Sequence, residues 1–364
     1  MAKHTLSVCL IVKDEEAVLA RCLRCASQFA DEIVVVDTGS TDDTKQIAYS
    51  FTENVYEFSW QDNFADARNF AFSKGTCDYL MWLDADDVIT EENIQKILLL
   101  KQTMSPTVDL VMMQYQVAFD EQDVPVFSYE RERMVKRGVG FFWQGAVHEA
   151  IVPAGEILHS DIAIEHRKQG PGDPDRNLRI YQAMLSRGES LEPRAQYYYA
   201  RELYYHAQYK QAIDVFQAFL KQGKGWIENN INACQDLALC YQKLDQPEQA
   251  IQALLQSFVY DAPRAETCCE LGHCFYQKRM FDTAVFWYQT ALSRPLDLSR
   301  GFVQPDCYGF IPNLQLCLCY DAMGQWEKAA EYNERAAEYK PEHPAIAYNR
   351  GYFAQRRAEA KLEE

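Results

Sequence analysis

The spacing of apolar residues changes once along this chain, at the Gly- and Pro-rich segment 168–175, and this change limits what the chain can fold into. Before the segment, short β-rich runs alternate with stretches in which apolar residues recur every three or four positions. After it, one helical pattern follows another. Alternating strands and helices form an α/β layer fold with a mainly parallel sheet, whereas helices alone form an all-α fold. The sequence therefore predicts an α/β domain over residues 1–170, a linker with a first helix over 171–190 and an all-α domain over 191–364.

Five runs in the first 170 residues have the composition of strands, and four segments between them have helical periodicity. The strand candidates are 6–12, 32–37, 54–58, 79–84 and 110–115, and the helix candidates are 15–28, 43–51, 63–74 and 91–104. We expect Thr41 and Thr90 to be N-caps, because a threonine hydroxyl accepts a hydrogen bond from a free backbone N–H in the first helical turn. In such a fold, ligands bind in the crevice at the carboxyl ends of the strands.

Three carboxylates, those of Asp84, Asp86 and Asp87, follow the apolar run 79–82. Charge concentrated at the end of a buried strand is costly unless a cation neutralises it. Mg²⁺ and Mn²⁺ prefer oxygen ligands and keep coordination positions for phosphate oxygens. We therefore predict that Asp84 and Asp86 take part in metal and nucleotide binding. Asp87 could instead cap the helix that begins near Glu91.

A second candidate position is Asp37, which ends the strand candidate 32–37. Gly39 allows a tight turn directly after it. A carboxylate at this place can accept hydrogen bonds from a base or a ribose hydroxyl. The alternative is that Asp37 binds only the backbone of its own turn.

The formal net charge of −17 argues against a general affinity for nucleic acid or for an anionic membrane. It also means that an anionic ligand needs a local positive charge. Arg68, on the helix candidate 63–74, can supply one, because a guanidinium binds phosphate with a bidentate fork or stacks on a base. The alternative for Arg68 is a surface salt bridge with Asp62 or Asp66.

The helical region contains an internal repeat. Small residues recur in the second helix of each predicted pair, at spacings of 38, 34 and 45 residues, and in the first helix as well. Small side chains at these positions let two antiparallel helices approach closely. The positions are Ala212, Ala250, Ala284 and Ala329 in the second helices, and Ala200, Ala238, Gly272 and Cys317 in the first.

This pattern resembles the tetratricopeptide repeat, which has a period of about 34 residues. The match includes Phe216, Tyr288 and Pro341, and the longest spacing implies an inserted loop near residues 297–307. A stack of such repeats forms a concave surface that suits an extended partner such as a peptide or protein. The alternative is that the repeats stabilise the α/β domain or a homodimer.

No apolar run is long enough to cross a membrane, and the segment 6–12 is too short for a signal peptide, so we expect a cytoplasmic protein. The twelve cysteines are then expected to be reduced core residues. A redox or metal role for the Cys22–Cys25 pair is the minor alternative.

Several blocks of the first 170 residues resemble, in order, the inverting glycosyltransferases of family 2. This resemblance implies a GT-A fold, a Rossmann-like nucleotide-diphospho-sugar transferase, with Mn²⁺ or Mg²⁺ as cofactor and a nucleotide-sugar, most often a UDP-sugar, as donor. The blocks are SVCLIVKDEE, FADEIVVVDTGSTDDT, NFADARNFAF, YLMWLDADD and WQGAVHEAI. By this resemblance, Val12 and Asp14 lie beside the nucleotide, Asp37 contacts the uridine, Arg68 reaches the base or diphosphate, Asp84 contacts the ribose or a metal-bound water, and Asp86 binds the metal.

The general base is assigned through the same resemblance. Many family members have a Glu-Asp pair after the metal motif, whereas this chain has the block Val147-His148-Glu149, similar to that of relatives with helical repeats. We predict Glu149 as the base and His148 as a residue that orients it or binds sugar or acceptor, although His148 could be structural. His166 follows a short apolar run and is the candidate for completing the metal site; the alternative is a histidine that faces solvent.

The sequence thus predicts a glycosyltransferase of the hexosyltransferase type. Its acceptor could be a peptide, a protein or a glycan, because repeat-bearing relatives include enzymes that glycosylate peptides, sometimes on cysteine sulfur. O-, N- and S-linkage all stay open. The alternative function is a catalytically inactive scaffold that binds a protein partner through its repeats.

Overall fold

The computed structural model describes residues 4–120, 123–170, 172–297 and 303–363. The chain divides into two compact units, Met1–Ser190 and Leu191–Glu364. The helix Arg176–Ser186 belongs to the first of them. The domain boundaries proposed from the sequence stay predictions.

The first unit is built around a mixed sheet. Its strands are β1 (Leu6–Val12), β2 (Glu32–Asp37), β3 (Val55–Glu57), β4 (Tyr79–Leu83), β5 (Asp87–Val88), β6 (Leu110–Phe119), β7 (Pro125–Lys136), β8 (Trp143–Gln144), β9 (Ala150–Ile151) and β10 (Ile157–His166). Eight of them form one sheet in the order β3-β2-β1-β4-β7-β6-β10-β5, and β8 pairs with β9 in a small hairpin. Strand β1 is parallel to β2 and β4, whereas β7 is antiparallel to both β4 and β6. The sheet is therefore less parallel than expected, because the sequence did not predict β7.

The helices of the first unit are α1 (Leu19–Ala26), α2 (Thr44–Tyr49), α3 (Phe64–Lys74), α4 (Glu91–Thr103) and α5 (Arg176–Ser186). Thr90 is confirmed as the N-cap of α4, where its side chain accepts a hydrogen bond from the Asn93 N–H. The prediction for Thr41 is wrong, since α2 begins only at Thr44. The N–H and hydroxyl of Thr41 instead donate to Asp14 Oδ1, at 2.8 and 3.2 Å.

The core of the first unit lies on both faces of the sheet. Strand β1 is central, and its side chains alternate between two apolar clusters, with Val8 and Leu10 in one and Cys9 in the other. A strand covered on both faces is expected to be a continuous apolar run, as β1 is. Each fully buried aliphatic side chain of this kind contributes about 1.5–3 kcal/mol of hydrophobic stabilisation. This core fixes the strand ends on which the candidate site is built.

The second unit consists of helices. They are α6 (Pro193–Tyr205), α7 (Tyr209–Gln222), α8 (Ile227–Lys243), α9 (Pro247–Gln256), α10 (Ala265–Gln277), α11 (Phe281–Leu292), α12 (Phe310–Ala322), α13 (Trp326–Ala337) and α14 (Pro344–Glu363). Consecutive helices pack in pairs, and the small residues of the repeat are buried where they cross. At Gly272, for example, an added Cβ would lie 2.7 Å from the Tyr288 ring. Part of the predicted inserted loop, residues 298–302, lies outside the described residues.

The cysteines are free thiols, and ten of the twelve are buried. Cys22 lies fully buried on α1, and burial raises the pKa of its thiol well above the ordinary value. A buried neutral thiol suits the predicted packing role. Across the described ranges, no helix combines the length and the apolarity that a membrane span requires.

Candidate active site

The acidic residues after β4 form a closed turn. All five residues of β4 are buried, and the chain reverses directly after it, with the Asp87 N–H donating to the Asp84 carbonyl at 3.0 Å. The Asp84 N–H in return donates to Asp87 Oδ2 at 3.0 Å. An aspartate that accepts a nearby backbone N–H stabilises such a turn. Residues 84–87 therefore bring three carboxylates close together in one turn.

Asp87 anchors this turn from inside the protein. Its side chain is fully buried and accepts hydrogen bonds from Arg133 Nη1 and from the Tyr115 hydroxyl, each at 3.0 Å. The alternative that Asp87 caps α4 is wrong, because Thr90 has that position. The Arg133 guanidinium also stacks on the Trp82 ring, 3.5 Å from its centroid. Removing one partner of a buried ion pair of this kind strongly destabilises the fold.

His166 brings an imidazole to the turn from the far end of β10. Its backbone pairs with Asp87 across the β5–β10 ladder. Its Nδ1 lies 3.2 Å from Asp86 Oδ1, 3.5 Å from Asp87 Oδ1 and 2.8 Å from the Tyr115 hydroxyl. Burial lowers the pKa of His166, but hydrogen bonds and charge from Asp86 and Asp87 outweigh it and raise the pKa to about 10. The alternative that His166 faces solvent away from the site is wrong.

One oxygen each from Asp84, Asp86 and Asp87, together with a ring nitrogen of His166, lie within 4.8 Å of one another. Carboxylate oxygens are the preferred ligands of Mg²⁺ and Mn²⁺, and imidazole also suits Mn²⁺. Asp87 is already bound by Arg133 and Tyr115. Asp84 is likewise bound, by Arg68. The side chains best placed to face a cation are therefore those of Asp86 and His166, with Asp84 beside them.

Arg68 connects this cluster to a second carboxylate. It lies on α3, is 8% exposed, and its guanidinium is about equally distant from the rings of Trp82 and Trp143, at 4.8 and 4.9 Å. Its Nη2 donates to Asp84 Oδ1 at 2.7 Å, and its Nε donates to Glu149 Oε1 at 2.6 Å. The alternative of a surface pair with Asp62 or Asp66 is therefore wrong. Burial would raise the pKa of Asp84, but Arg68 and Arg133 hold it at about 2.

Glu149 and His148 lie on the loop between β8 and β9. Val147 is buried, and His148 has a left-handed backbone with a φ of 52°, so the loop turns sharply before Glu149. The Glu149 side chain is 11% exposed and is bound by Arg68. Its carbonyl also accepts a long hydrogen bond, of 3.4 Å, from Arg131 Nη2. The guanidinium of Arg68 therefore connects the predicted base, Glu149, to Asp84 of the acidic turn.

The ends of β1 and β2 form a neighbouring network. The Val12 carbonyl accepts hydrogen bonds from the N–H and the hydroxyl of Thr38, at 2.9 and 3.0 Å. Asp37 is 2% exposed, and its carboxylate accepts the N–H groups of Gly39 and Ser40 at 3.0 to 3.2 Å. Asp37 therefore binds the backbone of its own turn, and its predicted contact with the nucleotide stays a prediction. A carboxylate oxygen held in this way can still accept a further hydrogen bond.

Asp14 joins the same network from the other side. It has a left-handed φ of 52°, its N–H donates to Ser40 Oγ at 3.0 Å, and its side chain accepts the two donors of Thr41. The loops after β1 and β2 are thereby tied to each other. Polar groups at two adjacent parallel strand ends are the place where nucleotides bind in doubly wound sheets.

Comparison with protein families agrees with this geometry. Residues 7–151 match glycosyl transferase family 2, and residues 231–258 match the tetratricopeptide repeat. The first unit contains a family 2 glycosyltransferase domain. A helical unit of the tetratricopeptide type follows it.

Two curated proteins match parts of this chain. The TPR repeat-containing protein Synpcc7942_0270 of Synechococcus elongatus is 40% identical over 91 residues, which are 25% of this chain and 23% of that protein. The SPbeta prophage-derived glycosyltransferase SunS of Bacillus subtilis is 26% identical over 234 residues, 60% of this chain and 54% of that protein. The chain therefore matches about a quarter of the first and about half of the second.

Among solved structures, glucosyl-3-phosphoglycerate synthase from Mycobacterium tuberculosis, in complex with Mn²⁺ and UDP-glucose, is similar to part of the chain. The similarity covers 52% of this chain and 81% of that one, with 16% sequence identity and a TM-score of 0.37.

The glycosyltransferase domain thus places the predicted residues in two hydrogen-bonded groups. The first group is linked through Arg68 and Tyr115 and consists of Asp84, Asp86, His166, Arg68 and Glu149. The second group is linked through the loop 38–41 and consists of Val12, Asp14 and Asp37. His148 is next to Glu149 in the chain and half-buried. Their roles toward donor, metal and acceptor stay predictions.

Sequence reasoning missed three residues of this site. Arg133 and Tyr115 hold the turn through hydrogen bonds to Asp87. Glu15, which follows β1, lies near the turn. The pKa of Glu15 is raised to about 7, first by burial and then by the charges of Asp86, Asp84 and Asp42, while Arg176 opposes the rise. The sequence signal that could have indicated Glu15 is the run of three acidic residues at 14–16, directly after a predicted strand.

Proposed function

We propose that this chain is a metal-dependent, inverting glycosyltransferase that moves a sugar from a UDP-sugar to an acceptor. The observation that carries the proposal is the first hydrogen-bonded group, in which the acidic turn and His166 meet Arg68 and Glu149 within a family 2 domain. Carboxylates, an imidazole and a buried guanidinium at the carboxyl ends of strands suit an activated sugar diphosphate.

The side chains of the acidic turn and His166 are suitable ligands for a divalent cation. Three carboxylates converge in the turn, where Arg133 is paired with Asp87 and Arg68 with Asp84, while Asp86 lies beside His166. Asp86 and His166 would hold Mn²⁺ or Mg²⁺, with release of the proton that the carboxylates favour on His166 when no cation is bound, and Asp84 would lie beside the cation at the ribose or a metal-bound water. A bound cation supplies positive charge that stabilises a diphosphate leaving group.

The residues of the chain would divide the remaining work. Val12, Asp14 and Asp37 would bind the nucleoside, as the resemblance to the family implies. Arg68 would contact the base or diphosphate, and its fork already holds Asp84 and Glu149 at a fixed separation. A guanidinium suits this task because its donors are planar and permanently charged.

Glu149 would act as the general base. It would take the proton of the acceptor hydroxyl, amine or thiol while the acceptor atom forms a bond to the anomeric carbon. The bond between that carbon and the diphosphate oxygen breaks, and its electron pair leaves with UDP. His148, next to Glu149, would orient the base or contact the acceptor.

The helical unit supports a polypeptide acceptor. Tetratricopeptide units present concave surfaces that bind extended partners. We therefore propose that a peptide or protein is the acceptor, and a glycan is the alternative.

A panel of nucleotide-sugars tests the proposal. Purified protein is incubated with each donor, with Mn²⁺ or with a chelator, and with candidate peptide, protein and glycan acceptors. Mass spectrometry is expected to show transfer or slow donor hydrolysis with a UDP-sugar only when metal is present, and the mass shift would name the sugar. Absence of any turnover, hydrolysis included, with every donor would instead favour an inactive scaffold.

A further inference from the structure

The first half of β7 has a neighbouring strand on one side only. Residues 125–132 pair with β6, whereas β4 pairs with β7 only at residues 134–136. Within the ranges that the structure describes, no strand pairs with residues 125–132 on the side away from β6. A sheet edge of this kind presents backbone N–H and C=O groups to which a further strand can bind.

This open edge begins at the candidate active site. Strand β4 ends directly before the acidic turn, and the Trp82 Nε1–H donates to the Glu132 carbonyl at 2.5 Å, so the end of β4 lies beside residue 132. The space along residues 125–131 is therefore the continuation of β4 past its carboxyl end. Arg131 Nη2 reaches the carbonyl of the predicted base, Glu149, at 3.4 Å. A chain bound along the edge would thus run past the acidic turn.

The register of β7 identifies the backbone groups that point to the open side. In an antiparallel ladder, residues that bind the neighbouring strand alternate with residues whose N–H and C=O point away from it. The Glu132 carbonyl points away from β6, since it accepts the hydrogen bond of Trp82. The pairing with β6 has no register shift between Glu132 and Ser128. The N–H and C=O groups of Ser128 and Glu130 therefore also point to the open side.

The side chains of this edge are suited to contact with another chain. Many sheet edges are protected by charged side chains, but residues 126–129 carry none, and Val126 and Phe127 are 59% and 38% exposed. The Phe127 ring contacts Tyr129, and Tyr129 contacts Tyr115, with ring centroids 5.8 Å apart in each case. Because the Tyr115 hydroxyl is bound in the acidic turn, this aromatic row extends from the turn along the edge.

The tip of the β6–β7 hairpin is attached to the acidic turn. Asp123, two residues before β7, is paired with Arg167, whose guanidinium also lies 3.4 Å from the centre of the Phe119 ring. The Arg167 N–H donates to the Asp86 carbonyl at 3.1 Å. Arg167 therefore holds the edge in a fixed position relative to the turn. A preformed edge lowers the entropy cost of binding.

We propose that an extended segment of the polypeptide acceptor binds as an added strand along residues 125–131. Its backbone exchanges hydrogen bonds with Ser128 and Glu130, and alternate side chains of the segment contact Phe127 and Tyr129. The position of the edge beside the acidic turn favours the acceptor over a second copy of this chain. The inference rests on the proposed function, in which a polypeptide is the acceptor. It adds where and in what conformation the acceptor is held.

Selection of a phage-displayed library of random peptides on the full chain tests the inference. Main-chain recognition accepts many sequences, so the library should yield binders. Labelled synthetic copies are then titrated by fluorescence anisotropy. Ser128→Pro removes an N–H on the open side, where proline is tolerated, and Ser128→Ala keeps it as the matched control. We expect Ser128→Pro to weaken binding about tenfold, the size of one lost hydrogen bond, and Ser128→Ala to bind as the unchanged chain does.

A second measurement needs no variant. Single N-methyl groups are placed in turn along a selected peptide, and each derivative is titrated against the unchanged chain. In an added strand, only every second N–H faces β7. We therefore expect losses of affinity that alternate along the peptide with a period of two residues.

Three results would overturn the inference: a library without binders, equal affinity of Ser128→Pro and Ser128→Ala, or losses without the period of two. A chain that elutes as a dimer, becomes a monomer in Ser128→Pro and binds no peptide would assign the edge to a second copy instead. Metal-dependent hydrolysis of a UDP-sugar, which Ser128→Pro should retain if it folds, separates the two proposals. Hydrolysis without peptide binding refutes only the edge assignment. Alternating peptide binding without hydrolysis supports the edge as a peptide site and refutes the proposed function.

Discussion

The two units of this chain bury charge in opposite ways. In the helical unit, Arg264 donates two hydrogen bonds to Glu228, at 2.6 and 2.8 Å, and both side chains are less than a tenth exposed. In the glycosyltransferase domain, the four carboxylates of Asp84, Asp86, Asp87 and Glu149 share two guanidinium groups and one imidazole, those of Arg68, Arg133 and His166. A matched pair is satisfied by the fold itself, whereas an excess of one sign calls for a partner from outside. Burial of charge therefore indicates a functional site only where the charge is unbalanced.

The largest expected effect is on the unbalanced side of this comparison. Replacing Asp84 and Asp86 together by Asn should lower UDP-sugar turnover about 10³-fold or more, because the proposed cation would lose the carboxylates that lie beside it at the leaving diphosphate. The rate of donor hydrolysis with Mn²⁺ measures this. Asp161→Asn, an exposed change on the strand that carries His166, is the control and should keep the full rate. Survival of turnover in the double variant would refute the metal assignment.

For the paired charges of the helical unit, we expect a substitution to lower stability and to leave catalytic activity unchanged. Arg264→Ala leaves Glu228 buried without its partner, and we expect the free energy of unfolding of the helical unit to fall by about 3–5 kcal/mol. Chemical denaturation measures this fall. Arg350→Ala breaks a similar pair with Glu334 whose side chains are about half exposed, and should cost less than about 1 kcal/mol. Equal losses in the two variants would show that the burial of the Arg264 pair is energetically unimportant.

Arg68 tests the link between the two carboxylates of the active site. Arg68→Lys keeps the charge but cannot donate to Asp84 and Glu149 with one planar group, so we expect turnover to fall about 10- to 100-fold. Steady-state kinetics with the best donor measures the change. Arg24→Lys, an exposed substitution on α1, serves as the reference and should have no effect. An unchanged rate in Arg68→Lys would mean that charge alone matters at this position.

The smallest expected effect concerns a carboxylate that weakens the helical unit. Burial raises the pKa of Asp236 from 3.8 to about 6, although Arg201 and Tyr197 oppose the rise. The folded state therefore binds this proton more tightly than the unfolded state, so ionised Asp236 destabilises the fold above pH 6 and this destabilisation fades as the pH falls toward 3.8.

Asp236→Asn should accordingly raise the free energy of unfolding by about 1 kcal/mol at pH 7.5, with the gain shrinking toward pH 4.5. Denaturation of both proteins at the two pH values measures it. A gain that is the same at both would contradict the assignment to ionisation.

The acidic turn was predictable because its carboxylates come from consecutive residues after an apolar run. Asp84 and Asp86 needed no knowledge of the tertiary fold, only the cost of charge at a strand end. His166 and Glu149 come from distant segments, and sequence reasoning assigned them only through the resemblance to a family. Spacing along the chain says nothing about which strand ends meet.

Arg133 was not predictable, because the strand that carries it has no regular pattern. Strand β7 is exposed in its first half and buried in its second, so its polar residues do not alternate with apolar ones. Thr41 was mispredicted for a related reason. Its hydrogen bonds go to Asp14 on another loop, and a tertiary contact of this kind overrides a local capping preference.

The position of α5 has a consequence for engineering. A fragment that ended at residue 151, where the family match stops, would leave the surface beneath Leu178, Ile180 and Tyr181 in contact with water. Chimeras that exchange catalytic halves between repeat-bearing chains should therefore carry this helix along, with the junction after Ser190. The graft would then keep these three side chains covered by the surface that they bury in the first unit.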